Sequence, residues 1–254
     1  MFQFTDTQLL AWLAAVVYPF VRIAALIGTA PILGDRSVPS RVKIGLAIFV
    51  TILVAPGIDA VPNVQVLSGD GFVLIGRQLL IGAAMGFSMQ LVFAAIEYAG
   101  DLIGFQMGLG YATLIDPETN NQTPLIGSLL RYFAALGFLV ANGPLMMIAG
   151  VSESFQGLPL SASGGLFGDW QNLVLQGAAV FGLALHMALP VIAALLITNV
   201  ALGVMTRAAP QLNLFSIGFP ITITVGLVVL VVSMPAVLGI AQSAMTEAAG
   251  RLLR

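Results

Sequence analysis

Long apolar segments dominate the sequence, and they constrain the fold more than any other feature. About six can be delimited, at residues 9–33, 42–61, 72–99, 125–151, 173–205 and 214–245. A helix needs roughly 20 apolar residues to cross a bilayer. No alternation of polar and apolar residues recurs along the chain, as it would in a membrane β-barrel. Because backbone groups in lipid must be satisfied internally, the segments predict an all-α integral membrane protein.

The composition excludes a water-soluble domain. Only 8% of the 254 residues are charged and the mean hydropathy is +1.02, whereas soluble domains carry roughly 25% charged residues. A net charge of −2 without a basic cluster gives no indication of nucleic-acid binding. The chain has no cysteine for disulfides or thiolate ligands. No Lys or Arg precedes the first apolar segment, so we expect that helix to be retained and not cleaved as a signal peptide.

Prolines inside the apolar segments predict that several helices are kinked or broken, because proline removes a helix hydrogen bond. These prolines are Pro19, Pro56, Pro144, Pro190, Pro220 and Pro235.

Residues suited to catalysis are scarce. Lys43 is the only lysine, which excludes the GK[ST] phosphate-binding motif. His186 is the only histidine, and a single histidine favours packing over a metal site, since metal sites need several ligands. We therefore expect no enzyme activity, no cofactor, and no catalytic or metal-binding residues.

Charged residues inside apolar segments need partners or water, since each costs roughly 2.5–3.5 kcal/mol at a helix centre. Arg22 lies near the middle of its segment, and Arg77 lies close enough to an end to reach the interface. Glu97 and Asp101 lie on one helical face, where water or an arginine partner would relieve their repulsion. A proton-relay pair is one interpretation; the end of a segment in water is the favoured one.

The distribution of basic residues predicts the orientation. Arg36, Arg41 and Lys43 lie between the first two segments, and Arg207 lies between the last two. The positive-inside rule places both loops in the cytoplasm and both termini outside, although Arg251 and Arg254 argue against this.

Small residues predict close helix contacts. Gly82 and Gly86 are four residues apart, and so are Gly100, Gly104 and Gly108, a spacing that lets another helix approach closely. The second series leads into residues 108–124, where Asp-Pro and Asn-Asn indicate a long loop. Long loops are often functional.

Three stretches resemble the FliR family of flagellar biosynthetic proteins, and more distantly the related subunits of virulence type III secretion. They are RIAALIGTAPILGDRSVPSRVKIGLA (22–47), GFQMGLGYATLIDP (104–117) and NVALGVMTRAAPQLNLFSIGFPITITVG (199–226). The resemblance covers nearly the whole chain, and the third stretch is the most specific. It implies a core subunit of the flagellar type III export gate, in the bacterial inner (cytoplasmic) membrane at the flagellar basal body.

The resemblance also implies a domain organisation and partners. A P-like helical part, 1–170, is followed by a Q-like helical hairpin, 171–254, with its tip near 206–213. One copy of the chain joins P-type and Q-type subunits around a channel for unfolded flagellar proteins. A B-type switch subunit surrounds the entrance, and some apolar surface contacts lipid. A small-solute secondary transporter is the alternative, for which broken helices and intramembrane charges are also expected.

Two sets of functional residues follow from the resemblance. The loop 108–124 and the residues before it correspond to a plug that closes the resting channel: Gly104, Phe105, Met107, Gly108, Gly110, Tyr111, Leu114, Ile115, Asp116 and Pro117. Contacts with other subunits are expected at Arg22, Arg207, Pro210, Gln211, Asn213, Phe215, Gly218, Phe219 and Pro220. An ordinary exposed turn at 206–213 is the alternative for the second set.

Overall fold

The structure is a computed structural model that describes residues 6–58, 64, 66–110, 124–160, 170–209 and 214–251. Every regular element in these residues is a helix. They are α1 (Asp6–Thr29), α2 (Ser40–Val54) with a 3₁₀ turn (Ala55–Gly57), α3 (Gly69–Gln106), α4 (Leu125–Val140), α5 (Gly143–Gly157), α6 (Trp170–Ala208) and α7 (Leu214–Arg251).

The helices confirm the predicted fold class. Five are long and apolar enough to cross a membrane, namely α1, α2 with its 3₁₀ turn, α3, α6 and α7. Helices α4 and α5 form a bent pair that would be a sixth span if it counts as one. The chain is therefore an all-α membrane protein by the length and composition of its helices.

One predicted boundary differs from the observed one, and the helix break predicted at Pro144 is present. Helix α3 does not end near residue 99 but continues to Gln106, because Gly100 packs against α4 and tertiary contact outweighs the low helix propensity of glycine. The predicted segment 125–151 is broken at Asn142, whose φ of 55° is left-handed. Pro144 follows in the first turn of α5, where its missing N–H costs little.

Two compact units emerge from the contacts within the chain. The first contains residues 1–91, 139–177 and 245–254, and the second contains residues 92–138 and 178–244. The predicted P-like and Q-like parts are two consecutive stretches of chain that meet near residue 170, whereas each compact unit combines separate stretches. The division into P-like and Q-like parts stays a prediction.

In the first unit, the fully buried Arg22 side chain joins three helices. Its Nε donates to Gln78 Oε1 of α3 at 2.7 Å. Its Nη1 donates to the carbonyl and hydroxyl oxygens of Ser154 in α5, both at 3.0 Å. Its Nη2 donates to the Leu158 carbonyl at 2.8 Å, and the Phe155 ring centroid lies 4.2 Å from the guanidinium carbon. We call this set of contacts the Arg22 clamp.

The clamp explains how a cation is accommodated in an apolar segment. Carbonyls in the last turn of a helix have no partner within the helix, and the partial negative charge there favours a cation. Leu158 follows the last residue of α5 and its carbonyl is one of these, whereas the Ser154 carbonyl in the last turn also accepts from the Leu158 N–H at 2.9 Å. These contacts are all within the chain and enclose the side chain completely. A contact between Arg22 and another subunit stays a prediction without support in this geometry.

Glycines bring helices into backbone contact in each unit. In the first unit, a Cβ on Gly82 would collide with the Arg22 carbonyl, and one on Gly86 would lie 2.8 Å from the Leu26 carbonyl. In the second unit, a Cβ on Gly100 would lie 2.6 Å from Gly127 Cα of α4. The spacing therefore indicated real close contacts, as glycines at helix interfaces permit.

Gly104 differs from this pattern. A Cβ there would meet its nearest neighbour, the Ile126 side chain, at 3.6 Å, which is an ordinary van der Waals distance. The closest approach in the second glycine series is therefore at Gly100.

The Arg22 clamp predicts that Arg22→Lys destabilises the protein although it keeps the charge. A lysine ammonium cannot reproduce the planar fork of donors, so buried acceptors lose charged hydrogen bonds. We expect a loss of about 2–4 kcal/mol in the free energy of unfolding, measured as thermal unfolding of the detergent-purified protein. Arg41→Lys, at an exposed position, is the control. Equal stability of Arg22→Lys and wild type would contradict the clamp.

The glycine contacts predict opposite effects for two neighbouring substitutions. Gly100→Ala forces apart α3 and α4, because the atoms it meets are backbone atoms of Gly127 and Ile126, and we expect a cost of about 1–3 kcal/mol. Gly104→Ala meets no such obstacle and gains helix propensity, so its stability should equal or exceed that of wild type by up to about 1 kcal/mol. The same unfolding measurement compares them. A Gly100→Ala variant as stable as Gly104→Ala would show that the helices separate easily.

Candidate functional site at the end of α3 and the start of α7

Half of the predicted plug residues lie in the described part of the chain. The described members surround the C-terminal end of α3: Gly104, Phe105, Met107, Gly108 and Gly110. The others lie outside the described residues: Tyr111, Leu114, Ile115, Asp116 and Pro117. The structure therefore shows how the predicted loop begins.

The end of α3 is a Schellman motif, a helix stop built on glycine. The Gly108 N–H donates to the Phe105 carbonyl and the Leu109 N–H donates to the Gly104 carbonyl, both at 3.0 Å. Gly108 has a φ of 84°, in the left-handed region where glycine is favoured. Gly108 therefore determines both where α3 ends and the direction in which the chain leaves it.

The start of α7 packs against this helix end within the second unit. The Thr222 hydroxyl lies 3.4 Å from the Met107 carbonyl. A Cβ on Gly226 would lie 2.7 Å from Met107 Cγ, and one on Gly108 would lie 3.0 Å from the Phe219 ring. Met107 is thus buried against α7.

The residues predicted to contact other subunits lie in different parts of the chain. Arg207 is exposed in the last turn of α6. Pro210, Gln211 and Asn213 lie outside the described residues.

The remaining predicted contact residues belong to α7. Phe215 lies in its first turns, Gly218 is buried, and Pro220 is exposed. Phe219 contacts Gly108 of its own chain. Contacts of these residues with other subunits stay predictions.

A charged pair joins α3 and α4 in the second unit. Arg131 Nη1 donates to Glu97 Oε2 at 3.1 Å, and both side chains are partly exposed. Asp101 Oδ1 is buried against Gly127 and accepts no hydrogen bond from the described residues. The favoured interpretation, in which these carboxylates mark the end of a segment in water, stays a prediction; the helix itself continues to Gln106. An arginine partner, which the sequence also suggested, is present for Glu97.

No metal centre is formed by the residues that the structure describes, since none of their His, Asp and Glu side chains form a group of three. His186, the only histidine, is exposed on α6.

Sequence reasoning missed three residues that shape this region: Thr222, Gly226 and Gly127. A signal for two of them was present, because Phe219, Thr222 and Gly226 have the spacing of one helical face. Nothing near Gly127 in the sequence indicates that Gly100 is its partner.

Known proteins match this chain over most of its length. The family described as "Bacterial export proteins, family 1" matches residues 13–248. The flagellar biosynthetic protein FliR of Escherichia coli K12 is 43% identical over 92% of this chain and 90% of that protein. The FliR proteins of Pectobacterium carotovorum and Bacillus subtilis are 41% and 34% identical, over 97% and 87% of this chain and 94% and 86% of their own lengths.

The family match extends from the first membrane-spanning helix almost to the end of α7. The chain therefore belongs to the family of bacterial export proteins that includes the flagellar biosynthetic protein FliR.

Proposed function

We propose that the chain is a membrane-embedded subunit of the flagellar type III export apparatus. The observation that carries this proposal is the family match over residues 13–248, together with relatives named flagellar biosynthetic protein FliR that align over most of their length. The comparisons give no support to the alternative of a small-solute secondary transporter.

The finer proposal is that the chain is a non-enzymatic core subunit of the export gate in the bacterial inner membrane. One copy would join P-type and Q-type subunits around the channel for unfolded flagellar proteins. Apolar side chains exposed on the long helices support this assembly, because only 28% of the α6 span and 22% of the α7 span is buried within the chain. Such surfaces require lipid or protein neighbours.

The Q-like hairpin would consist of α6 and α7. Only residues 209–213 separate these two helices, and short connections are typical of antiparallel helix pairs. Its tip, with Arg207 and Gln211, would face the cytoplasm and contact the B-type switch subunit or a Q-type neighbour.

We further propose that residues 108–124 obstruct the resting channel. A gate that passes unfolded chains would leak ions if it stayed open at rest. The glycine-based stop at the end of α3 supports this role, because it starts the segment in a defined direction from a buried residue, Met107.

Closure by this segment predicts an ion leak when it is shortened. Replacing residues 112–121 by a short Gly-Ser linker keeps the Schellman motif and removes most of the obstruction. We expect higher ion conductance of membranes that contain the assembled export apparatus, with slower growth. The control keeps the segment at full length with Gly and Ser at two positions. Unchanged conductance in an assembled complex would contradict the plug.

The position of the hairpin tip is tested by cysteine labelling, for which the cysteine-free chain gives no background. We expect Gln211→Cys to react with a membrane-impermeant thiol reagent only from the cytoplasmic side, because polar groups at a span end need water or protein partners. It should cross-link to the B-type or a Q-type subunit in the full apparatus.

Gln156→Cys, at an exposed position on α5, is the matched control and should react only from the outside under the predicted topology. Labelling of Gln211→Cys from the outside would reverse the topology. Labelling without any cross-link would identify the tip as an ordinary exposed turn.

A further inference from the structure

The exposed face of α2 begins at a basic turn and continues as an apolar surface. We propose that this face binds an anionic phospholipid, with Arg36 and Arg41 on its phosphate headgroup and the apolar side chains along its acyl chains. We call this surface the α2 lipid site. It does not depend on the proposed role of the chain in export, since it rests only on α1, α2 and the turn between them.

The length of α2 suits a helix whose exposed face lies against lipid. With its 3₁₀ turn it forms a span of 18 residues, Ser40–Gly57, which is roughly 27 Å long. The hydrocarbon core of a bilayer is about 30 Å thick, so both ends of this span reach the level of the headgroups. Helices α6 and α7, with 39 and 38 residues, are roughly twice as long. Only 22% of the α2 span is buried within the chain, and the bilayer core has the thickness needed to cover the rest.

Burial along α2 separates a face that packs within the chain from a face that does not. Steps of three and four residues return to the same side of an α-helix. The buried side carries Ala47, Val50, Thr51 and Val54. The exposed side begins at Arg41 and continues with apolar residues that are each at least 47% exposed: Ile44, Ile48, Phe49, Ile52 and Leu53. From Arg41 to Leu53 this strip is roughly 18 Å long, which is close to the depth of one leaflet of hydrocarbon, about 15 Å.

The turn before α2 holds Arg36 at the same end of the helix. The Lys43 ammonium donates to the Gly34 and Asp35 carbonyls, both at 2.8 Å, which ties the residue before Arg36 to the first turns of α2. The Val38 N–H donates to the Asp35 carbonyl at 3.1 Å, so Arg36 lies at the tip of a β-turn. Lys43 therefore uses its charge within the chain, whereas the turn exposes Arg36.

The conformation of this turn is fixed by its own backbone contacts. Ile32 has a φ of 68°, which is unfavourable for a β-branched residue. Strain of this kind persists only where the surrounding structure determines the backbone. The Gly34 N–H donates to the Ala30 carbonyl at 2.8 Å, and a Cβ on Gly34 would lie 2.5 Å from the same oxygen. A fixed turn has less conformational entropy to lose when a headgroup binds.

The charges of this region complement an anionic headgroup. Residues 30–57 contain three basic side chains and one acidic side chain, which leaves a net charge of +2. The acidic one, Asp35, accepts from the Ser37 N–H at 2.8 Å. Within the described part of the chain, neither Arg36 nor Arg41 forms a hydrogen bond or ion pair through its side chain. Guanidinium groups bind phosphate oxygens in a bidentate geometry, and basic residues beside a span attract anionic lipids.

An acidic segment of a partner subunit is the other occupant that two arginines would fit. It would account for the charges but not for the dimensions of α2. A protein neighbour has no reason to match the thickness of the hydrocarbon, whereas a phospholipid places its phosphate at one end of an apolar strip as long as its acyl chains. The combination of charge and length therefore favours lipid.

A tryptophan at position 49 reports which lipid lies against α2. The reporter chain carries Phe49→Trp with Trp12→Phe and Trp170→Phe, which removes both native tryptophans, and the full chain is placed in lipid vesicles. Brominated acyl chains quench the fluorescence of a tryptophan that they touch. We expect brominated phosphatidylglycerol to bind here at least roughly fivefold more tightly than brominated phosphatidylcholine, as basic residues at an anionic surface require. Added salt should reduce this preference.

Two controls assign the preference to the arginines and to α2. Arg36→Gln combined with Arg41→Gln should bring the preference close to one and leave quenching by phosphatidylcholine unchanged. Val231→Trp in the same tryptophan-free background places the reporter on α7, at a position that is 69% exposed, where the two arginines should have no effect. Because the salt dependence is measured with both arginines present, it tests the headgroup contact even where the double variant fails to fold.

Three results with the vesicles would overturn the α2 lipid site: no quenching at position 49 by either lipid, equal binding of both lipids, or a preference that survives in the double arginine variant. Loss of the quenching after assembly with the other export subunits would show that protein covers α2, and would overturn lipid as its occupant. A preference that salt and the double variant abolish, and that persists in the assembled apparatus, supports the site.

Discussion

The placement of a cation in the middle of an apolar helix is the constraint on which the first unit depends. Arg22 would be costly in this position without acceptors. The structure supplies them from residues 56 and 132–136 positions away in the sequence. The side chain can be satisfied only when α1, α3 and the C-terminal end of α5 are all in place. Its hydrogen bonds therefore specify a tertiary arrangement that hydrophobic burial alone would leave loosely defined.

Hydropathy predicted the number and kind of helices, because each segment that spans a bilayer must be apolar over its own length. It did not predict where α3 ends. Gly100 and Asp101 look like the polar end of a span, and the helix passes through them because Gly100 contacts Gly127 in α4. The prolines did predict broken helices, and the break at Asn142 lies two residues before one of them, Pro144. The error at α3 concerns information that lies in a contact distant along the chain.

Some functional residues could be predicted from the sequence, whereas others could be identified only from contacts in the fold. Resemblance to a family pointed to residues 108–124 and to the tip near 206–213, and the chain does belong to that family. It did not show that the residue preceding the predicted loop is buried against α7. Thr222 and Gly226 look like ordinary members of a membrane helix, and their role depends on the methionine that occupies the space between them. Phe219 stands out in the sequence, and its neighbour Gly108 could be identified only from the fold.

The contact between Gly82 and the backbone of α1 has a consequence for the evolution of the chain. Any side chain at position 82 would collide with the carbonyl of Arg22. Drift at position 82 would thus push α1 away from α3 at the residue whose guanidinium must reach Gln78 and Ser154. The two positions are coupled through a backbone atom and not through their side chains. Replacing the arginine would leave that carbonyl in place, so a lineage that keeps this contact between α1 and α3 keeps the glycine whichever residue occupies position 22.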